Sequence, residues 1–262
     1  MNENQDLRVT LEIRGHVLFI GLNRVDKRNA ADRAMLDQLS LAYGELERNP
    51  ELRVGVVHAH GEHFSAGLDL VDVGPELARG GAISLPEGGL DPWGITSAQV
   101  SKPVVMAIQG ICYTLGVELA LASDVVIARE GASFAQLEVS RGILPFGGAT
   151  TRMPRVTGWS NAMRWLLTAD TFSAAEAHRI GIVTEVVDVD PLERATEIAL
   201  RIAQQAPLAV AETLASARAG QIDPGAEAAQ LGTRLGRLMA TRDVQRGMEA
   251  FMTKAPASFE GD

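Results

Sequence analysis

Short apolar segments alternate with amphipathic ones along the first half of the chain. Residues 7–22 are predicted to form two strands around a turn at Arg14–His16. Between residues 31 and 47, apolar side chains recur every three or four positions, which predicts an amphipathic helix that ends at Asn49–Pro50. Further strands are predicted at Val54–His58, Val104–Gln109 and Val125–Ala128, with a loop at 61–70 that leads into a helix and a second helix at Gly116–Ser123. This alternation predicts an α/β domain with parallel strands.

The second half of the chain has a different pattern, rich in Ala, Arg, Glu and Leu. Helices are predicted at Asn161–Thr168, Ala174–Arg179, Pro191–Gln205, Ala209–Ala219 and Ala226–Met252. The segment Gly74–Gln99 lies before this region, is dense in Gly and Pro and carries Trp93. An irregular segment of this length inside a compact domain is expected to be either a functional lid or partly disordered.

Composition and charge narrow the class of protein. The chain has 262 residues and a formal net charge of −9, which argues against nucleic acid as a partner. Cys112 is the only cysteine, so an intrachain disulfide is impossible and a reducing, cytoplasmic location is expected. No apolar run is long enough to span a membrane, and the polar segment Met1–Arg8 lacks the apolar core of a signal peptide.

Two glutamates stand in apolar or small-residue surroundings. Glu118 lies within Gly110–Ala122, and Glu138 follows the segment Ser133–Leu137. A carboxylate in an apolar setting is costly to desolvate unless it is paired, hydrogen-bonded or protonated. Two such groups in one pocket can divide acid and base chemistry between them. On the residues alone, a structural alternative stays open as well: Glu118 pairs within its helix, and Glu138 is a solvated residue at the end of a strand.

Three loops that follow apolar strands contain glycine beside small residues. They are Phe64–Leu70, Gln109–Glu118 and Gly142–Thr150. Small residues allow backbone N–H groups to approach a ligand closely, and N–H groups at a helix start suit an anion or a developing oxyanion. Each loop alone is equally typical of an ordinary strand-to-helix turn.

Taken in order, seven segments resemble the enoyl-CoA hydratase/isomerase (crotonase) family, and the resemblance extends from about Leu7 to Lys254. The segments are Leu22–Ala30, Phe64–Leu70, Lys102–Gly110 with Glu118–Asp124, Phe134–Glu138, Gly142–Gly148, Ala174–Val183 and Gly247–Phe251. The resemblance implies an α/β crotonase-like (ClpP/crotonase) fold of repeated ββα units with a helical C-terminal region. It implies a core at residues 1–195 that holds the CoA and acyl site, and a helical region at 196–262 used for trimerisation.

The resemblance also assigns roles to individual residues. Backbone N–H groups of Leu68 and Leu115 are expected to form the oxyanion hole, although the family usually has glycine where Leu115 stands, and this side chain is expected to narrow the acyl pocket. Glu118 and Glu138 are expected to be the catalytic pair, with Glu138 as the proton donor to C2 and Glu118 as the group that activates water. The expected CoA- and substrate-binding residues are Lys27, Arg28, Ala30, Ala66, Leu68, Phe251 and Lys254.

The implied activity is the addition of water across the 2,3-double bond of a 2-enoyl-CoA, which gives a 3-hydroxyacyl-CoA. CoA is then part of the substrate and no separate cofactor is expected. The alternatives are an enoyl-CoA isomerase, another crotonase-type conversion, or a non-catalytic acyl-CoA-binding protein. The family implies a homotrimer or a dimer of trimers. Trp93 and Phe146 are expected either to line the acyl pocket or to pack in the core, and His58, His60 and His63 are not expected to bind a metal, because no further ligands accompany them.

Overall fold

The computed structural model describes residues 7–80 and 83–262. The strands are β1 (Val9–Arg14), β2 (Val17–Leu22), β3 (Val54–Ala59), β4 (Val104–Ile108), β5 (Ile111–Tyr113), β6 (Val125–Arg129), β7 (Ser133–Ala135), β8 (Thr171–Ser173) and β9 (Glu185–Val187). The helices are α1 (Arg33–Arg48), α2 (Leu70–Ala78), α3 (Leu115–Ala122), α4 (Ala149–Thr157), α5 (Trp159–Thr168), α6 (Ala174–Arg179), α7 (Pro191–Ala203), α8 (Pro207–Ile222), α9 (Pro224–Met239) and α10 (Arg242–Thr253). Short 3-10 helices cover Val25–Lys27 and Glu138–Arg141.

Within the described residues the strands form a six-stranded sheet and a three-stranded sheet. The large sheet has the order β1-β2-β3-β4-β6-β9, in which β1 and β2 form an antiparallel hairpin and the remaining neighbours are parallel. This confirms the predicted parallel α/β arrangement. The small sheet has the order β5-β7-β8. Its parallel pair β5 and β7 supports the functional site, because the segments that follow these two strands emerge at the same edge.

Both faces of the large sheet are covered, which explains its continuous apolar strands. In β2, Leu18 and Ile20 pack into the core that also contains α1 and α3, whereas Val17 and Phe19 point to the opposite face. There, α7 closes the sheet with a row of small buried residues, Ala195, Ala199 and Ala203.

The division of the chain between residues 195 and 196 therefore falls inside α7, a helix that belongs to the sheet. Beyond it, α8, α9 and α10 contain few buried residues. Arg218 on α8 is linked to the core, since its guanidinium donates to the Val100 carbonyl and pairs with Asp124.

Two predicted elements were wrong. Residues 226–252 are not one helix, because α9 ends at Met239 and the Thr241 side chain accepts from the Val244 N–H to start α10. The segment 74–99 is not irregular throughout, because α2 extends to Ala78; its residues 81–82, like the polar residues 1–6, lie outside the described residues.

No helix in the described part of the chain combines the length and apolarity needed to cross a bilayer.

Candidate active site

Glu118 and Glu138 line the same small cavity. Glu118 lies in the first half of α3 and is 1% exposed, and Glu138 begins the 3-10 helix after β7 and is 4% exposed. Leu68 and Leu115 line the cavity as well. Its volume is about 20 Å³. A polar cavity above roughly 10–15 Å³ can hold a water molecule, so this one has room for a single water between two carboxyl groups.

The pairing of β5 with β7 brings the two glutamates together. Thr114, which follows β5, donates its N–H to the Ala135 carbonyl at the end of β7 (2.8 Å). The chain therefore enters α3 directly beside the segment that leads to Glu138. Residues twenty positions apart in sequence thus become neighbours at one edge of the small sheet.

The loops that carry Leu68 and Leu115 approach each other closely. Gly67 has a φ of +97°, and a Cβ at this position would overlap the Thr114 hydroxyl. Thr114 has a φ of 48°, which is strained for a β-branched residue. Within residues 7–80 and 83–262, neither the Leu68 nor the Leu115 N–H donates to a protein acceptor. The two predicted oxyanion donors therefore lie on touching loops with unpaired N–H groups.

Glu118 is held at the start of α4. Its Oε1 accepts from the Ala149 N–H (3.0 Å), so the carboxyl group lies at the positive end of a helix. A Cβ at Gly147 would lie 2.6 Å from Glu118 Oε2, so a side chain at this position would displace the carboxyl group. Burial nevertheless raises the pKa of Glu118 to about 7, with the neighbouring Glu138 charge acting in the same direction and the Ala149 N–H opposing.

Glu138 has a more polar environment. The buried Gln136 side-chain amide, oriented so that its nitrogen faces the carboxylate, lies 2.9 and 3.0 Å from the two Glu138 oxygens. Arg141 lies three residues further along the same 3-10 helix, a spacing that places side chains on one face, and it also lines the cavity. Burial raises the pKa of Glu138, and the Arg141 charge partly opposes this increase. Both carboxyl groups therefore have raised pKa values, as acid–base residues often do.

The expected CoA loop lies against the first oxyanion loop. The Ala66 N–H donates to the Arg28 carbonyl (2.8 Å), and Ala30 follows beside them, with its N–H donating to the Lys27 carbonyl (3.0 Å). The Lys27 and Arg28 side chains are exposed at this edge. Two exposed basic side chains thus lie at the edge where the sequence predicts CoA binding.

Phe251 and Lys254 are placed differently. They lie at the end of α10, outside the lining of the catalytic cavity, and Phe251 is 86% exposed. Within one chain, Phe251 instead lines an apolar groove between α8 and α10. Their predicted contact with CoA stays a prediction.

The histidines have structural neighbours. The rings of His58 and His60 meet edge to face at 5.3 Å, and burial lowers the pKa of His58 to about 4. His60 Nε2 lies 2.8 Å from the Thr10 hydroxyl. The buried Cys112 is part of the apolar core.

Reasoning from the sequence missed Gln136, Arg141 and Thr114 as site residues. Gln136 is a fully buried polar residue two positions before Glu138, and a polar residue between the apolar neighbours Ala135 and Leu137 was the available signal. For Arg141 the signal was its spacing from Glu138, which is informative only once the 3-10 helix is known.

These features define a crotonase-type enzyme: an α/β fold in which two loop N–H groups and two buried carboxyl groups surround one cavity. The chain belongs to the enoyl-CoA hydratase/isomerase family, whose profile matches residues 12–262. A crystal structure of a probable enoyl-CoA hydratase/isomerase from Mycobacterium abscessus is similar at 49% sequence identity and a TM-score of 0.94, covering 97% of this chain and 99% of the other. The crotonase-like fold is thereby confirmed.

Two relatives show the range of activities among similar sequences. The 2,3-dehydroadipyl-CoA hydratase of Escherichia coli is 32% identical over 247 residues, covering 94% of this chain and 95% of the relative. The mitochondrial enoyl-CoA hydratase of Pongo abelii is 33% identical over 244 residues, covering 92% and 83%.

Proposed function

We propose that this protein is an enoyl-CoA hydratase, which adds water across the 2,3-double bond of a 2-enoyl-CoA. The observation that carries the proposal is the water-sized cavity lined by Glu118, Glu138, Leu68 and Leu115. Hydration needs a site for one water, a group that accepts its proton, and a proton source for C2. The relatives named as hydratases support the same reaction class.

In the proposed reaction, the N–H groups of Leu68 and Leu115 bind the thioester oxygen. As the water oxygen forms its bond to C3, the electrons of the double bond move toward C2 and the thioester carbonyl, which develops enolate character. Two donors aimed at this oxygen stabilise the charge, and the loss of one such donor typically costs about 3 to 4 kcal/mol. CoA enters as part of the substrate, with Lys27 and Arg28 placed for its phosphates.

The glutamate pair supplies the proton transfers. One carboxylate accepts a proton from water while the protonated partner donates to C2, so that the pair holds one proton before and after the step. The pKa values of both carboxyl groups are raised by burial, which favours retention of one proton by the pair; in the proposed step Glu138 carries this proton and Glu118 accepts from water. We assign Glu138 as the group that reaches C2. The Glu118 carboxyl group is less free to move, because it accepts a hydrogen bond from the Ala149 N–H.

The direct test follows the loss of enoyl absorbance when crotonyl-CoA is mixed with the protein. We expect Glu118→Gln and Glu138→Gln each to lower kcat by at least about 100-fold, the usual contribution of a general acid or base. Glu130→Gln, at an exposed position, is the matched control and should retain wild-type activity. Conversion of a 3-enoyl-CoA to a 2-enoyl-CoA without hydration would identify an isomerase instead, and tight acyl-CoA binding without turnover would identify a binding protein.

A second measurement separates the roles of the two glutamates. Exchange of the C2 protons of butyryl-CoA with deuterated water needs the oxyanion hole and the group at C2, but no attacking water. We expect Glu138→Gln to abolish this exchange, whereas Glu118→Gln should lose hydration far more than exchange. The reverse pattern would exchange the two assignments.

The proposed assembly is a homotrimer or a dimer of trimers. Its support is the family membership together with the apolar side chains that α9 and α10 expose, including Leu235, Met248, Phe251 and Met252. Light scattering coupled to size-exclusion chromatography tests this, and a monomer at micromolar concentration would refute it.

A further inference from the structure

A second cavity adjoins the catalytic one and is much larger. Its volume is about 340 Å³. Leu115 and Phe146 line both cavities, and Gly147, which contacts the Glu118 carboxyl group, lines the larger one. A group that leaves the catalytic cavity past the Leu115 side chain therefore enters this space directly.

The walls of the larger cavity are mainly apolar. Residues of α1, α2 and the segment 83–96 contribute to it. The apolar lining includes Leu36, Leu77, Ile83, Trp93, Leu115 and Phe146. Among its lining residues in the described chain there is neither lysine nor arginine. The cavity is therefore unsuited to the phosphates of CoA and suited to the acyl end of the substrate.

The two acidic residues in the lining are already engaged. Asp91 is buried, and its carboxylate accepts from the N–H groups of Trp93 (2.9 Å), Ile95 (2.7 Å) and Thr96 (2.7 Å). Asp37 forms an ion pair with Arg33 at 2.8 Å. The lining residues of the described chain therefore offer no cation to a carboxylate at the end of an acyl chain. Asp37 and Asp91 would repel such a group.

The wall is also fixed in relation to the oxyanion hole. The Trp93 indole N–H donates to the Leu115 carbonyl (3.1 Å), and the Arg152 guanidinium donates to the Trp93 carbonyl (2.6 Å). The side chain that lines the acyl cavity is thus bonded to the residue whose N–H faces the thioester. A cavity held in this way is formed before the substrate binds, which lowers the ordering cost of binding.

The cavity volume sets the size of the acyl group. A water molecule occupies about 30 Å³ in the liquid, and a methylene group is of similar size, so five to seven carbons beyond C3 would fill about half to two-thirds of the space. Crotonyl-CoA places only one carbon beyond C3. Building on the hydratase proposal, we infer that the substrate is a medium-chain, uncharged 2-enoyl-CoA of about eight to ten carbons, with the chain beyond C3 in this cavity.

The test is a chain-length series of trans-2-enoyl-CoA substrates. Each methylene buried in an apolar site contributes about 0.8 kcal/mol, or about fourfold, so four additional methylenes set a ceiling of about two hundredfold. We expect kcat/KM to rise at least about tenfold from crotonyl-CoA to 2-octenoyl-CoA. A 2-enoyl-CoA of the same length that ends in a carboxylate should be hydrated no better than crotonyl-CoA.

A matched pair of variants locates the effect in the cavity. Leu85 lines the cavity without belonging to the central core, so Leu85→Trp should fill the space. We expect it to lower the octenoyl-to-crotonyl ratio of kcat/KM at least about tenfold. Leu167→Trp makes the same change at a position that is 67% exposed and should leave the ratio unchanged.

Two measurements distinguish failure of this inference from failure of the hydratase proposal. Hydration of crotonyl-CoA with a flat or falling chain-length profile, or preference for the carboxylate-bearing substrate, overturns the inference and leaves the hydratase proposal standing. Calorimetric binding of saturated octanoyl-CoA and butyryl-CoA needs no turnover, and we expect octanoyl-CoA to bind at least about tenfold more tightly. Equal Kd values would overturn the inference even in a protein without hydratase activity.

Discussion

Replacing Glu118 by glutamine should make the protein more stable at alkaline pH while it removes activity. The substitution keeps the shape of the side chain, and the amide oxygen can still accept from the Ala149 N–H. What it removes is the ability to carry a negative charge in a site that is 1% exposed. The effect on stability should therefore depend on pH in a way that the structure specifies.

The magnitude follows from the pKa of the carboxyl group in the folded protein. Burial raises this pKa from 4.5 to about 7. Between these values the unfolded chain releases a proton that the folded protein retains, so the wild-type protein loses stability as the pH rises through this window. Because a tenfold change in acidity corresponds to about 1.4 kcal/mol, the full loss above pH 7 is about 3 kcal/mol, and that between pH 5.5 and pH 8 is about 2 kcal/mol.

The assay is urea unfolding of the wild-type protein and Glu118→Gln at pH 5.5 and pH 8. We expect the free energy of unfolding of the variant, relative to the wild type, to increase by about 2 kcal/mol from the lower to the higher pH. Glu130→Gln, at an exposed position, should show no such increase. A difference that is the same at both pH values, or that decreases, would refute the assignment of a raised pKa to Glu118.

Three further substitutions test the surroundings of the site. Arg141→Leu removes a charge that lowers the pKa of Glu138, so this pKa should rise, and the alkaline limb of the pH profile of kcat/KM, on which the proton donor loses its proton, should move to higher pH; an unmoved limb would argue against the interaction. Gln136→Leu removes the amide beside both Glu138 oxygens and should lower kcat about tenfold, since a hydrogen bond to a charged group contributes about 1.5 to 3 kcal/mol. Steady-state kinetics at fixed pH would measure kcat, and a wild-type value would exclude a positioning role for Gln136. Thr114→Gly relieves a positive φ at a cost in chain entropy, and we expect a net increase of up to about 1 kcal/mol in the free energy of unfolding, measured in urea; a loss of stability would show that the threonine side chain contributes more than the strain removes.

Local pattern was sufficient for the main elements of the fold. The apolar runs at residues 54–58 and 104–109 correspond to β3 and β4, and the helical periodicity of residues 31–47 corresponds to α1. The helix was predictable because a helix that faces the core repeats its apolar positions every three or four residues. The strands were predictable because a strand covered on both faces is apolar throughout. The break between α9 and α10 was missed because neither of the two residues between the helices, Ala240 and Thr241, is proline or glycine. A threonine caps a helix only where the chain has already left the preceding helix, and the local pattern does not show that.

The sequence by itself determined the fold class, and it predicted Glu118 and Glu138 as the catalytic pair. Only the tertiary structure decided what surrounds them. The water-sized cavity and the hydrogen bonds to the two glutamates depend on residues that the pairing of β5 with β7 brings together. The apolar cavity behind Leu115 depends on the packing of the segment 83–96. The physical reason is that periodicity reports which face of an element is buried, whereas a pKa or a cavity volume depends on the atoms that other elements bring to that face.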